Sequence, residues 1–163
     1  MTSLSRVLAV LGLLSTCAVA GLFYAYWCSV MIALDRLRPE AAIRAMRTIN
    51  VAIINPLFFA TFMGTLVLLP LAALAAWSSG ASASAGWLAA AFAVYAAGTF
   101  GVTIALNVPL NYALERLKDA STDPAADWRA FVDPWNRWNA VRMWAGFAAT
   151  ALAAVALIAD GRP

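Results

Sequence analysis

The chain has 163 residues, 64% of them hydrophobic and 12% charged, with a formal net charge of +3 and no histidine. Its mean hydropathy is +0.79. Soluble domains carry roughly 25% charged residues, so the composition excludes an ordinary soluble fold, and the missing histidine excludes any imidazole-based site.

Four apolar stretches follow one another, at about 7–34, 53–77, 87–112 and 139–159. Each matches the roughly 20 residues a helix needs to cross hydrocarbon. Backbone groups in lipid must be satisfied internally, and the period-two alternation of a barrel is absent. The expectation is an all-α, four-helix transmembrane bundle forming one domain, 1–163.

The first stretch opens like a secretory signal, with Arg6, an apolar run and the cleavage-like Ala18-Val19-Ala20. The run continues past that point to Leu34, so it reads as a retained first span. Cys17 and Cys28 lie eleven residues apart in it, about 16 Å along a helix axis and beyond disulfide reach. They read as small buried hydrophobes. Pro39 suits a first helical turn. Ile43, Met46, Asn50 and Ile53 carry one face into the second span, which Pro56 should kink by removing a hydrogen bond. Segment 78–86 is small and polar, an ordinary tight loop. Asp123-Pro124 and Asp133-Pro134 each look like a cap followed by proline. They predict a short interfacial helix bearing Trp128 and Phe131, then a fresh start for the fourth helix.

Positive charge sets an expected orientation. Arg36, Arg38, Arg44 and Arg47 follow the first span, and Arg116, Lys118, Arg129, Arg137 and Arg142 surround the third and fourth, whereas the other side holds only Arg6 and Arg162. Basic loops stay cytoplasmic, so loops 35–50 and 113–138 should be cytoplasmic and both termini outside. The pI near 9.2 then reflects topology. No basic patch with interleaved aromatics points to nucleic acid.

The sequence also reads as a tandem duplication of a helical hairpin. Shifted by 80 positions, 21–38 lies over 101–118 without gaps, with Gly21/Gly101, Ala25/Ala105, Ala33/Ala113, Leu34/Leu114, Arg36/Arg116 and Leu37/Leu117 identical. A weaker match at an offset of 89 pairs Asn50 with Asn139, Phe58 with Phe147 and Thr61 with Thr150. Two hairpins of the same orientation imply a pseudo-twofold along the membrane normal. Trp27 and Met31 are then the counterparts of Asn107 and Asn111, and Ile53 that of Arg142. The polar half of any site comes from the third and fourth spans.

Polar groups in lipid are costly, and here they converge on one level. Asn107 and Asn111, four apart, share a helix face, and Pro109 between them frees a backbone acceptor. Trp135, Trp138, Asn139 and Arg142 form another face, Trp27 and Met31 a third, and Asn50 and Asn55 open the second span. Together they describe a pocket with aromatic walls, amides and one fixed cation. Such a pocket suits a flat apolar molecule whose oxygen can become negative. The alternative is structural: asparagines as interhelical glue worth roughly 0.6 kcal/mol each, tryptophans as an interfacial belt and a snorkelling arginine. Without histidine there is no haem or two-histidine iron site and no Ser/His or Cys/His nucleophile. Asp35, Glu115 and Asp133 only flank the hydrocarbon, and glycine-rich phosphate loops are missing. Neither metal nor nucleotide cofactor is expected.

At these residues the chain resembles the anthrone-oxygenase-like family of small four-span membrane proteins. The matching strings are Gly21-Leu22-Phe23, Ala45-Met46 through Ile49-Asn50, Asn55-Pro56-Leu57-Phe58, Asn107-Val108-Pro109-Leu110-Asn111 and Trp135-x-x-Trp138-Asn139-x-x-Arg142. The resemblance implies a protein of the bacterial inner membrane and a monooxygenase reaction needing neither metal nor flavin, in which dioxygen oxidises an anthrone to a quinone. In that reading Arg142 and Asn139 stabilise the anthrolate oxygen, Asn107 and Asn111 orient substrate or peroxide, and Trp27, Trp135 and Trp138 stack on the rings. Met31, Asn50 and Asn55 complete the substrate site. Some members have histidine after the position matching Asn139; here it is Ala140, which argues against a histidine base and leaves Asp35, Asp133 or water as proton acceptor. The same residues also fit a non-catalytic membrane protein that binds a quinone-like or lipid ligand, or an assembly subunit. Expected partners are a small aromatic or lipid-like ligand and membrane lipid. Gly12, Gly64, Gly98 and Gly146 allow close helix contacts within one chain or in a homo-oligomer.

Overall fold

A computed structural model describes residues 1–117 and 122–160; Lys118, last in the repeated string, and Arg162 fall outside them. Among the described residues there are five helices: α1 (Ser3–Asp35), α2 (Pro39–Ala52), α3 (Pro56–Ser78), α4 (Ser82–Glu115) and α5 (Pro124–Asp160). All but α2 are long and apolar enough to cross a membrane. The protein is a four-span helical bundle, with α1 packed on α3 and α5, and α4 packed on the same two helices.

Local chemistry explains the helix ends. Thr2 caps α1 by accepting from the Ser5 amide at 3.2 Å. Pro39 occupies the first turn of α2, where its missing donor costs nothing. The expected kink at Pro56 is a complete break. Helix α2 stops at Ala52, and Asn55, in extended backbone, starts α3 by accepting from Phe58 N at 3.0 Å while donating to Ala52 O at 2.9 Å. A good cap placed before a proline made starting again cheaper than bending. Gly80 turns the chain from α3 to α4 at φ 81°, a left-handed geometry suited to glycine. The repeated string ends α1 and α4 alike, at Asp35 and Glu115. A Leu37 N to Leu34 O bond of 3.0 Å and a Leu117 N to Leu114 O bond of 3.3 Å close the two ends.

Two expectations are corrected. Asp123 does cap α5, accepting from Ala126 N at 3.0 Å, but the helix runs on through Pro134 as one unit of 37 residues. An interior proline costs roughly 3 kcal/mol. Phe131 and Val132, buried with Trp128 and Trp135, more than offset it at roughly 1.5–3 kcal/mol for each large apolar side chain. Secondly, Cys17 and Cys28 are exposed. The inward stripe of α1 is Ser5, Ala9, Gly12, Thr16, Val19, Ala20 and Phe23, and neither cysteine falls on it.

Close approach holds the bundle in the membrane. A Cβ at Gly98 would stand 2.5 Å from that of Ala145, and one at Gly146 3.0 Å from that of Ala20. These contacts bring α4 and α1 onto α5. Gly12 likewise faces Leu69 of α3, while Gly64 meets only Leu68 of its own helix. Beyond the spans, α2 folds over the basic end, where Met31, Ile43, Met46, Leu114 and Phe131 form one apolar cluster. Arg47 ties α2 to the end of α4, donating to Leu114 O at 3.1 Å and also to Leu117 O. At the opposite end Asp160 accepts from the Met1 amino group, and from Arg6 Nε at 2.7 Å.

Candidate functional site

Arg142 stands midway along α5 and is only 5% exposed. Its Nε donates to Asn139 Oδ1 at 3.1 Å, and Nη1 reaches Thr103 Oγ1 of α4 at 3.4 Å. The guanidinium carbon lies 3.9 Å from the centre of the Phe23 ring and 4.9 Å from that of Trp135. Tyr26 is within electrostatic reach. Among the described residues no carboxylate pairs with it. An arginine at this depth costs roughly 2.5–3.5 kcal/mol on insertion scales. A desolvated cation–π contact returns about 2 kcal/mol, and the amide and hydroxyl acceptors add to it. The charge is tolerated without being neutralised.

Each neighbour is held by another helix. Asn139 Nδ2 donates to Phe23 O at 3.0 Å. A π-helical turn, Tyr26–Val30, interrupts the regular ladder of α1 just beyond that carbonyl. Helix α4 carries two such turns, Tyr95–Gly101 and Thr103–Asn107, facing the same layer. Thr99 Oγ1 donates to Arg142 O at 3.1 Å, and Thr103 Oγ1 to Thr99 O at 2.7 Å. Asn107 Nδ2 donates to Trp135 O at 3.2 Å, and Trp135 Nε1 to Asn111 Oδ1 at 2.8 Å. Asn107 Oδ1 is buried without a partner among the described residues. π-Helical turns recur at functional sites because they re-aim side chains and carbonyls.

Arg142, Asn139 and Asn107 are therefore brought together in one buried layer with Trp135, and half-buried Asn111 joins at its edge. Periodicity singled these out correctly as neighbours. Phe23, Tyr26, Thr99 and Thr103 were missed, although Thr99, Thr103 and Asn107 repeat at four-residue spacing and could have been found together. The other candidates stand apart. Asn55 is engaged as the cap of α3. Asn50 has a buried Nδ2 without a partner and bonds to none of the layer. Half-buried Trp138 lies under the Arg137 guanidinium at 5.9 Å.

Trp27 and Met31 belong to a different feature, an open groove of about 670 Å³ between the end of α1 and the first turns of α5. Trp27, Met31 and Asp35 line one wall, and Trp128, Val132 and Asn136 the other. Trp128 Nε1 donates to Asp35 Oδ1 at 2.8 Å, and Asn136 Oδ1 has no partner. Six residues separate Asn136 from Arg142, about 9 Å along α5. The expected single pocket is thus two features, a filled polar layer and a groove next to it. Among the described residues, no three His, Cys, Asp or Glu side chains are grouped to ligate a metal.

Fold and site define a class: a small four-span membrane protein with an unneutralised arginine sealed between aromatic rings beside an aromatic-walled groove. The family model for Anthrone oxygenase matches residues 57–152, more than half of the chain, and the chain belongs to that family. No curated protein and no solved structure matches it. The matched segment contains Asn107, Asn111, Trp135, Trp138, Asn139 and Arg142; Phe23, Trp27, Met31, Asp35, Asn50 and Asn55 precede it.

Proposed function

We propose that the protein oxidises an anthrone-like aromatic with dioxygen to the quinone, without metal or flavin. Family membership supports this, and one observation carries it: a buried guanidinium with no counter-ion among the described residues, which favours any anion formed nearby. Loss of a methylene proton converts the anthrone to an electron-rich anthrolate. The anthrolate passes one electron to dioxygen, and the two radicals combine to a peroxide. One oxygen atom ends as the new carbonyl, and the other leaves as water with both methylene hydrogens. Dioxygen is apolar and concentrates in lipid, so a membrane site is well supplied.

Arg142, held by Asn139, stabilises the anthrolate oxygen through the field it casts into the groove, Asn107 and Asn111 hold Trp135 in place behind it, and Trp27 and Met31 present apolar faces to the rings; Trp138, beside Arg137, stays outside. For a substrate oxygen at the Asn136 end of the groove, on the order of 9 Å along α5 from Arg142, two unit charges interact by about 2 kcal/mol at an effective dielectric near 20, roughly twentyfold in rate. The basic end carrying the groove faces the cytoplasm of a bacterial inner membrane, following the positive loops.

A second reading, a non-catalytic protein that binds a quinone-like ligand or acts as an assembly subunit, is favoured by the interhelical bonds that already engage Asn107, Asn111 and Asn139. Oxygen uptake by the purified protein with dithranol, a dihydroxylated anthrone, decides between them. Uptake above the compound's own autoxidation, lost in an Asn111/Arg142 double mutant, is expected. Quinone binding without uptake selects the second reading.

A further inference from the structure

We infer that the groove between α1 and α5 binds a hydroxylated flat aromatic, and that Asp35 is the base that removes its methylene proton. This assignment rests on the oxidation proposed above. A volume of about 670 Å³ lies within the roughly 300–1,000 Å³ of small-molecule sites. The walls are two facing stripes at four-residue spacing, Trp27, Met31 and Asp35 against Trp128, Val132 and Asn136. Trp27 is 45% exposed and offers a flat face for a ring system.

Of the two carboxylates on the groove, Asp35 and Asp133, Asp35 is held in place. Trp128 is 4% exposed, and its indole N–H fixes Asp35 Oδ1 at 2.8 Å. The other oxygen has no donor among the described residues. A carboxylate oriented in this way, with one oxygen left for the substrate, can act as a general base on a methylene brought within hydrogen-bond reach. Among the described residues, no hydrogen bond fixes the Asp133 carboxylate comparably. Trp128 is a positioning residue. The Asn136 amide supplies the second signal, because its buried Oδ1 has no partner. Rotation about its soft terminal torsion turns it into the groove, where a phenolic hydroxyl satisfies it.

The proton balance closes. The Asp35 carboxylate takes the first methylene proton and returns it to the peroxide anion. It then takes the second as the O–O bond breaks and the carbonyl forms, and gives it to the departing hydroxide, leaving quinone and water.

The test uses the full chain in liposomes, dithranol turnover by oxygen uptake, and binding of the dihydroxyanthraquinone product by tryptophan quenching. Asp35→Asn is expected to lower kcat at least thirtyfold with KM and quinone Kd within threefold. Its deuterium effect at the methylene should be no smaller than wild type's, and added formate should restore part of the rate in Asp35→Ala. Trp128→Phe should lower kcat three- to tenfold at unchanged KM. Val132→Trp, which fills the groove, should weaken quinone binding at least tenfold. Turnover of Asp35→Asn within threefold of wild type overturns the base, and unchanged quinone binding in Val132→Trp overturns the site. If wild type takes up no oxygen above autoxidation, the oxidation reading fails and the base falls with it. Loss of quinone binding in Val132→Trp would in that case still establish the groove as a ligand site.

Discussion

Around Arg142, α1 and α5 close on each other through Phe23, Asn139 and Trp135, whereas one to three turns nearer the basic end the same helices part around Trp27, Asp35 and Asn136. The closed layer ties α1, α4 and α5 together through Asn139, Thr99, Asn107 and Trp135, although Asn107 Oδ1 lacks a partner among the described residues. The open groove holds an amide oxygen with no partner and a carboxylate gripped on one side only. Burying polar groups is expensive unless they are paired, so the first arrangement is what assembly demands. The second leaves polar atoms open to whatever enters the groove. Field and opening are thus separated: charge is stored where nothing enters, and the groove opens beyond it.

The sharpest break of this contrast is Gly98→Leu, which forces α4 from α5 and opens the closed layer. Overpacking of this kind costs about 3 kcal/mol or more. Thermal unfolding in detergent should drop sharply or the protein should fail to elute as one species; an unchanged melting curve would mean the helices are not in contact there. Next comes Arg142→Met, which keeps shape and removes charge. Dithranol turnover should fall about twentyfold with stability close to wild type, and Arg142→Lys should recover much of it. Asn139→Leu removes the bond to Phe23 O, leaves Arg142 Nε unpaired and should lose about 1.5 kcal/mol, read by chemical unfolding. Asn55→Ala lies outside both regions and removes the α3 cap for about 1 kcal/mol. It should leave turnover unchanged; a large loss of turnover would place Asn55 in the substrate site after all. Asn107→Leu is the smallest, about 0.6 kcal/mol, since one of its two polar ends already lacks a partner.

Hydropathy made the four spans plain, because lipid leaves the backbone no choice but helix. The shared face of Trp135, Asn139 and Arg142 was equally legible, since helical spacing fixes direction around an axis. Depth was not. Spacing cannot say whether a face meets a neighbour or an opening, so one expected pocket divided into a filled layer and a groove, with Trp27 and Met31 on the far side of that division. Pro134 misled because burial of Phe131 and Trp135 outweighs a lost hydrogen bond, and Pro56 because Asn55 caps so well that the chain restarts. The π-helical turns at Tyr26–Val30 and in α4 had no signature that local propensity could reveal.

The guanidinium's shelter has a consequence for biosynthesis. Phe23 and Thr103, which cover Arg142, belong to α1 and α4 and emerge from the ribosome before it does. The last span carries the costliest residue of the chain and, alone, would meet bare acyl chains. Earlier segments already in place would lower the cost of its partition into the bilayer, so the arginine rewards a bundle whose preceding helices have been laid down correctly.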